Sequence, residues 1–188
     1  MDSDPMIHFI YLGNLLIEKG LLVLLDACQL LHDQGTPFHC HIVGAPTAEI
    51  TLESMMNKVR DHKLSDCVTL HGAQYGNEKE KLLQQADVMV FPTFYHNECF
   101  PLVLLEGMRH SLVPISTREG AIPDIIIDGE TGLLIDQQSP VSLASAMAHL
   151  INTPDRLQQL ATAAHLRYKQ HFTKEQFLRH IQHILREN

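Results

Sequence analysis

This sequence of 188 residues lacks clusters of lysine and arginine, long hydrophobic runs and paired-cysteine motifs. Its formal net charge is −8 at pH 7, so nucleic acids and anionic membrane surfaces are poor partners for it. No hydrophobic run approaches the roughly 20 residues that a membrane-spanning helix needs, and the N-terminus has no signal-peptide pattern, so we expect no membrane span. The cysteines have no CxxC spacing, which favours reduced thiols in a cytoplasmic protein; they are Cys28, Cys40, Cys67 and Cys99.

The thirteen histidines are scattered along the chain rather than grouped with other metal ligands. His39 and His41 share one face of a predicted strand, and His180 and His183 share one face of a predicted helix. Either pair could bind a metal, but neither has a cysteine or a carboxylate nearby at ligand spacing. Solvated or hydrogen-bonded side chains are the favoured interpretation, and we expect no metal.

Short hydrophobic runs alternate with longer amphipathic ones along the chain, and 45% of the residues are hydrophobic. The short runs predict strands over residues 7–12, 39–43, 67–70, 87–91, 112–116 and 132–135. The longer ones predict helices over residues 20–34, 47–62, 77–85, 101–109, 121–127, 140–151, 154–170 and 174–186. A chain of this length suits one core, so we expect a single domain over residues 1–188.

The predicted strands are too hydrophobic to keep one face in water, which is typical of a parallel sheet covered by helices on both faces. We therefore predict an α/β, doubly wound, Rossmann-like domain with extra C-terminal helices. In such a domain the ligand binds at the carboxyl ends of the strands. The first strand begins at residue 7, and the sequence leaves open whether the chain is a whole protein or the second half of a two-domain enzyme.

Two of the loops that follow predicted strands combine a glycine with a nearby helix start. After the first strand, Gly13 lets a ligand approach the backbone, and Asn14 follows it. The next helix start offers free N–H groups, and Lys19 adds a positive charge beside them. This combination suits an anion such as a phosphate, although it is neither a GxGxxG nor a P-loop motif. Gly120, after the fifth strand, also allows a ligand to approach the backbone. A plain connection with a solvated lysine is the alternative interpretation.

Two carboxylates flank a hydrophobic segment after the fourth predicted strand. Glu98 precedes a predicted helix start, and Glu106 lies further along the same helix. The backbone amides of Phe100, Leu102 and Val103 face the crevice at that helix start, where an anion is favoured. A carboxylate accepts two hydrogen bonds from vicinal hydroxyls, so a ligand with hydroxyls at both ends and phosphates between them, a nucleotide sugar, fits the pattern. The alternative is one surface glutamate and one that caps a helix or forms a salt bridge.

Together these loops resemble the C-terminal domain of GT-B glycosyltransferases of family GT4, over essentially the whole chain. The most specific element is the E-x7-E motif that runs from Glu98 to Glu106. The supporting matches are Lys19-Gly20, Ala86-Asp87-Val88, Phe91-Pro92-Thr93, Ile122-Pro123-Asp124, Asp128-Gly129-Glu130-Thr131-Gly132 and His171-Phe172-Thr173.

The resemblance implies that Glu106 binds the ribose hydroxyls of a nucleoside-diphosphate sugar and that Glu98 binds hydroxyls of the donor sugar. It implies that Lys19 neutralises the diphosphate together with the amides after Phe100, which makes Glu98 and Lys19 the catalytic residues. The implied reaction transfers the sugar with retention of anomeric configuration and needs neither a metal nor another cofactor. An N-terminal domain, absent from this chain, is expected to bind the acceptor, a sugar or a lipid-linked glycan, so we expect binding without turnover.

The chain also departs from the family pattern, and two other functions stay open. Relatives commonly have arginine at the position of Asn14, glycine at those of Pro101, Ser111 and Glu119, and glutamate at that of Asp124. The alternatives are a non-catalytic module that binds a nucleotide sugar or mediates assembly, and a sugar-nucleotide epimerase of GT-B shape. The E-x7-E spacing favours the transferase.

Overall fold

The computed structural model describes residues 6–187, apart from the side chains of residue 180 and residues 183–187. The predicted histidine pair His180 and His183 therefore lies outside the described side chains. Six parallel strands form one sheet in the order β3-β2-β1-β4-β5-β6. The strands are β1 (Ile7–Leu12), β2 (Phe38–Val43), β3 (Val68–Gly72), β4 (Val88–Phe91), β5 (Val113–Ser116) and β6 (Leu133–Leu134).

Eight α-helices and one short 3₁₀ helix, Ile17–Lys19, connect and follow these strands within the described residues. The α-helices are α1 (Leu21–Asp33), α2 (Leu52–Asp61), α3 (Gly76–Gln85), α4 (Leu102–Arg109), α5 (Ile122–Ile125), α6 (Pro140–Asn152), α7 (Pro154–His171) and α8 (Lys174–Glu187). Helix α1 packs against α6, and α4 packs against α7. None of the helices over residues 6–187 has both the length and the apolarity needed to cross a bilayer.

The central strands are buried on both faces, as their uninterrupted hydrophobic sequences predict. Phe9, Ile10 and Tyr11 are successive residues of β1 whose side chains alternate between the two faces, and all three are fully buried. Every residue of β4 and β5 is buried as well. A doubly wound parallel sheet is therefore confirmed, with all strand pairs in parallel register.

The strand order places a topological switch point between β1 and β4. Strand β1 pairs with β2 on one side, where Ile7 lies opposite Phe38, and with β4 on the other, where Phe9 lies opposite Val88. The chain leaves β1 toward β2 and returns to β4 only after β3, so the loops after β1 and β4 diverge. Such divergence opens a crevice at the carboxyl ends of the two strands, where ligands bind in open α/β sheets.

Five predicted helix starts differ from the structure, one by five residues and the others by one. The helix predicted over residues 47–62 begins only at Leu52, because Thr51 caps it: the Thr51 hydroxyl accepts a hydrogen bond from the Ser54 amide, and the Ser54 hydroxyl accepts one from the Thr51 amide. The helix predicted from residue 101 begins at Leu102, and Pro101 is its N-cap residue.

Candidate functional site

The loop after β1 is held close to the loop after β4 by Gly20. Gly20 has φ +79, and a Cβ atom built there would lie 2.0 Å from the carbonyl oxygen of Pro92. Only glycine tolerates both the left-handed backbone and this contact. Since Gly20 directly follows the 3₁₀ helix, the contact sets Lys19 beside the β4 loop. The preceding Gly13 is held at the sheet edge by its amide, which donates to the Val43 carbonyl at 3.0 Å.

The loop after β4 is anchored on two sides before it reaches Glu98. The Thr93 hydroxyl and the Phe94 amide both donate to the carbonyl of Glu18, the amide at 2.8 Å. From the β5 side, the Thr117 hydroxyl donates to the Thr93 carbonyl at 2.6 Å. Thr93 and Thr117 are fully buried, so the bond between them is shielded from water. The loop that carries Glu98 is therefore a fixed part of the crevice wall.

Glu98 is the buried carboxylate of the site, with 9% of its surface exposed. The Lys19 ammonium donates to its Oε2 atom, which satisfies the charge that burial would otherwise leave unpaired. Lys19 also lies over the rings of Phe91, at 5.4 Å, and Tyr95, at 4.7 Å, which favours a cation at this point. The cation predicted to hold a diphosphate is thus the counter-ion of Glu98.

Tyr11 lies buried beneath this ion pair. Its hydroxyl donates to the Asn14 carbonyl at 2.9 Å, which fixes the loop after β1. Burial raises the pKa of Tyr11 well above its usual range, and the negative charge of Glu98 raises it further. Tyr11 therefore remains a neutral hydrogen-bond donor and contributes no charge to the crevice.

Gly120 packs directly against the backbone that carries Glu98. It has φ +52, and a Cβ atom built there would lie 1.7 Å from the Glu98 carbonyl oxygen. The next amide, that of Ala121, donates to the Cys99 carbonyl at 3.1 Å. The structure thus gives Gly120 a role in positioning Glu98. The neighbouring Glu119 accepts a hydrogen bond from the Gln137 side chain at 2.6 Å.

Helix α4 presents free amides between the two glutamates. Pro101 has no N–H group, and no acceptor among residues 6–187 takes a hydrogen bond from the amides of Leu102 or Val103. These amides and the positive end of the helix dipole favour an anion at this point. The side chains of Phe100 and Leu102 line a separate cavity of about 740 Å³ next to α7 and α8, so only their backbone groups are available to the crevice.

Glu106 lies on the first turns of α4 and faces a cavity of about 190 Å³ at the ends of β1 and β2. Its carboxylate forms an ion pair with Lys79 of α3, and the two side chains are 23% and 25% exposed. The same cavity is lined by four of the predicted donor-binding residues: Gly13, Asn14, Val103 and Glu106. The other charged members of the predicted set, Glu98 and Lys19, are not among the residues that line this cavity.

A family model described as Glycosyl transferases group 1 matches residues 4–177 of this chain. The chain belongs to this family. Among curated proteins, the D-rhamnosyltransferase WbpZ of Pseudomonas aeruginosa is 33% identical over 168 residues, which are 88% of this chain and 41% of WbpZ.

Solved structures agree with this group 1 glycosyltransferase fold. The C-terminal domain of the group 1 protein LpcC of Francisella tularensis has a TM-score of 0.79 at 21% identity, covering 89% of this chain and 87% of that one. HepE of Anabaena, solved in complex with UDP-glucose, has a TM-score of 0.85 at 16% identity, covering 98% of this chain and 50% of HepE. The chain thus covers 41% of WbpZ and 50% of HepE, which is half the length of these relatives or less.

Two residues that line the cavity in front of Glu106, Gly44 and Lys79, were not predicted from the sequence. Gly44 is needed because a Cβ atom there would lie 1.8 Å from the Gly13 carbonyl oxygen. Its position directly after a predicted strand is the feature of the sequence that could have identified it. Lys79 lies in the polar stretch Glu78-Lys79-Glu80-Lys81, where the local pattern does not separate a part-buried lysine from a solvated one. Its partner is 27 positions away, so only the fold brings the two charges together.

The predicted histidine pair of β2 belongs to a larger histidine cluster made of His8, His39, His41 and His71. The rings of His8 and His71 each lie within hydrogen-bonding distance of His41, at 3.1 Å and 3.0 Å. Burial lowers the pKa of His41 to about 4, with the other three histidines adding to the effect. No group of three or more metal-ligating side chains with a suitable arrangement occurs in the described part of the chain. His39 lies within hydrogen-bonding distance of the Thr69 hydroxyl, at 2.9 Å, so both predicted histidines have hydrogen-bonding partners.

Proposed function

We propose that this group 1 glycosyltransferase domain binds a nucleoside-diphosphate sugar and serves as the donor half of a retaining glycosyltransferase. The observation that carries the proposal is that Lys19 and Glu98 pair across the loops after β1 and β4, while Glu106 of α4 lines the cavity at the ends of β1 and β2. A structural relative solved with UDP-glucose supports the choice of ligand class.

The diphosphate is proposed to lie at the N-terminus of α4. The unpaired amides of Leu102 and Val103 offer two donors there, and Lys19, paired with Glu98 shortly before the helix, supplies a full positive charge. Because Lys19 is paired with Glu98 in the free protein, a diphosphate competes with Glu98 for the cation. Binding then exchanges one ion pair for another, and it frees the Glu98 carboxylate to accept hydrogen bonds from sugar hydroxyls.

The ribose end is proposed to occupy the cavity in front of Glu106. A carboxylate offers about four lone-pair sites on two oxygens, enough for the 2′- and 3′-hydroxyls and a lysine at the same time. The backbone of Gly13 and Gly44 lines this cavity, and a Cβ atom at Gly44 would clash with the Gly13 carbonyl oxygen at 1.8 Å.

In the proposed reaction the bond between the anomeric carbon and the diphosphate breaks, and a bond to an acceptor hydroxyl forms on the same face. The acceptor proton passes to the departing phosphate, whose negative charge is stabilised by Lys19 and the α4 amides. The acceptor, a sugar or a lipid-linked glycan, is proposed to be held by a separate N-terminal domain, so that the present chain alone binds donor without transferring it.

The experiment is a calorimetric titration of the chain with UDP and GDP. We expect one of them to bind at millimolar concentration or below. Glu106→Gln should weaken binding about tenfold, the scale of losing a charge-assisted hydrogen bond. The matched control is Glu78→Gln, since Glu78 is exposed and pairs only with Lys81 on its own helix. Absence of binding by the unmodified chain to both nucleotides would rule the proposal out.

A further inference from the structure

Lys79 is a part-buried cation whose role no family motif assigns. It projects from α3 toward α4, where its ammonium meets the Oε1 atom of Glu106. Both side chains line the cavity of about 190 Å³ proposed for the ribose. The two side chains are 25% and 23% exposed, so the pair is largely shielded from solvent, unlike a surface salt bridge, which contributes little.

The other charges of α3 are engaged elsewhere. Lys81 pairs with Glu78 on the exposed face of the helix, where both side chains are more than 60% exposed. Glu80 pairs with Arg109 and His110 of the region that ends α4. Lys79 is thus the charged residue of the described α3 that reaches the cavity, and Lys81, two positions away, serves as its matched control.

We infer that Lys79 is a positioning residue for Glu106 that makes the site select ribonucleotides over 2′-deoxyribonucleotides. This inference rests on the proposed function. Lys79 holds one oxygen of the carboxylate and so fixes its rotamer before the ligand arrives. A fixed carboxylate accepts the 2′- and 3′-hydroxyls together without first losing side-chain freedom, which is the benefit of preorganisation.

Without Lys79, the Glu106 side chain is no longer held in one rotamer. The loss of preorganisation then matters most for a ligand that bonds to both carboxylate oxygens. A ribose engages the carboxylate through two hydroxyls, whereas a 2′-deoxyribose engages it through one. Removal of Lys79 should therefore weaken ribonucleotide binding more than deoxyribonucleotide binding. A lysine that only stabilised the fold, or that only touched phosphate, would weaken both ligands by the same factor.

The test measures the affinities of the tighter-binding nucleoside diphosphate, UDP or GDP, and of its 2′-deoxy counterpart by calorimetry. The unmodified chain should prefer the ribonucleotide about tenfold. In Lys79→Met this preference should fall to about threefold or less, with most of the loss in ribonucleotide affinity. Lys79→Arg should retain the preference, and Lys81→Met should leave both affinities unchanged.

A Glu106→Gln background separates action through the carboxylate from direct contact. In that background Lys79→Met should change neither affinity further. An unchanged preference in Lys79→Met, or a further loss in the Glu106→Gln background, would overturn the inference while leaving donor binding intact. If the methionine variant does not fold, as judged by circular dichroism, Lys79→Gln carries the same test. Failure of the unmodified chain to bind either ribonucleotide would instead count against the proposed function.

Discussion

Gly120→Ala is expected to displace Glu98 without touching the ribose end of the site. A Cβ atom at residue 120 would lie 1.7 Å from the Glu98 carbonyl oxygen, whereas close carbon–oxygen contacts in proteins are about 3.3 Å or longer. The backbone of one loop must therefore move by roughly 1.6 Å, taken as the difference between these distances. A shift of about 1 Å at a catalytic group can lower a rate about a hundredfold.

The backbone strain of this substitution is separable from the clash, because Gly129 provides a matched control. Gly129 has φ +72, and a Cβ atom there would meet nothing within 4 Å. Gly129→Ala should therefore lower the free energy of unfolding only through the strain of a left-handed L-residue, by about 1–2 kcal/mol. Gly120→Ala introduces the same strain together with the clash, and should lower the free energy of unfolding by at least about 1 kcal/mol more.

The assay combines urea denaturation with calorimetric titration of a nucleoside diphosphate and the matching nucleotide sugar. Gly120→Ala should retain nucleoside-diphosphate affinity within about threefold and lose the added affinity contributed by the sugar. Gly129→Ala should retain both. Equal unfolding free energies for the two variants, together with equal nucleotide-sugar affinities, would refute the reasoning that links Gly120 to Glu98.

Two further predictions concern the charged groups. In a full-length enzyme that contains this domain, Lys19→Ala should lower kcat by roughly 10²–10³, the scale of one transition-state charge contact; an unchanged rate would remove Lys19 from the mechanism. The second concerns His41, which is 8% exposed and has its pKa lowered to about 4, against about 6.5 when unfolded. Between these values the unfolded chain binds more protons, so stability falls by about 1–3 kcal/mol as pH drops from 6.5 to 4. His41→Gln should flatten that slope in urea denaturation and the exposed His149→Gln should not; equal slopes for both variants would contradict this assignment.

The sheet could be predicted closely because its signal is local. The run Ile7–Leu12 was predicted at its observed bounds, and the other strands within about two residues, since buried parallel strands are short and uniformly hydrophobic. The errors occurred where side chains compete with helical backbone. Thr51 and Ser54 cap a helix that hydrophobic periodicity alone would extend to residue 47. The three-residue 3₁₀ helix has too few residues to show any period.

The sequence predicted which loops meet at the switch point but not how their charged side chains pair. The E-x7-E spacing located Glu98 and Glu106, and the strand order brings the loop of Gly13 to the same edge. The partners of the glutamates, Lys19 and Lys79, lie 79 and 27 positions from them in sequence. Such pairs depend on how the loops pack, which no local pattern encodes. Ligand approach to the backbone of Gly120 stays a prediction. In the structure, the missing side chain at this position leaves room for the Glu98 carbonyl.

The central claim is that the carboxylates of Glu98 and Glu106 accept hydrogen bonds from the sugar and the ribose of one nucleoside-diphosphate sugar. A crystal structure of the chain with a bound nucleoside-diphosphate sugar tests it most directly. We predict Glu106 within hydrogen-bonding distance of the ribose hydroxyls, Glu98 released from Lys19 and bonded to the sugar, and Lys19 on the diphosphate. A bound donor that leaves the Glu98–Lys19 pair intact, or that places its ribose away from Glu106, would contradict the account.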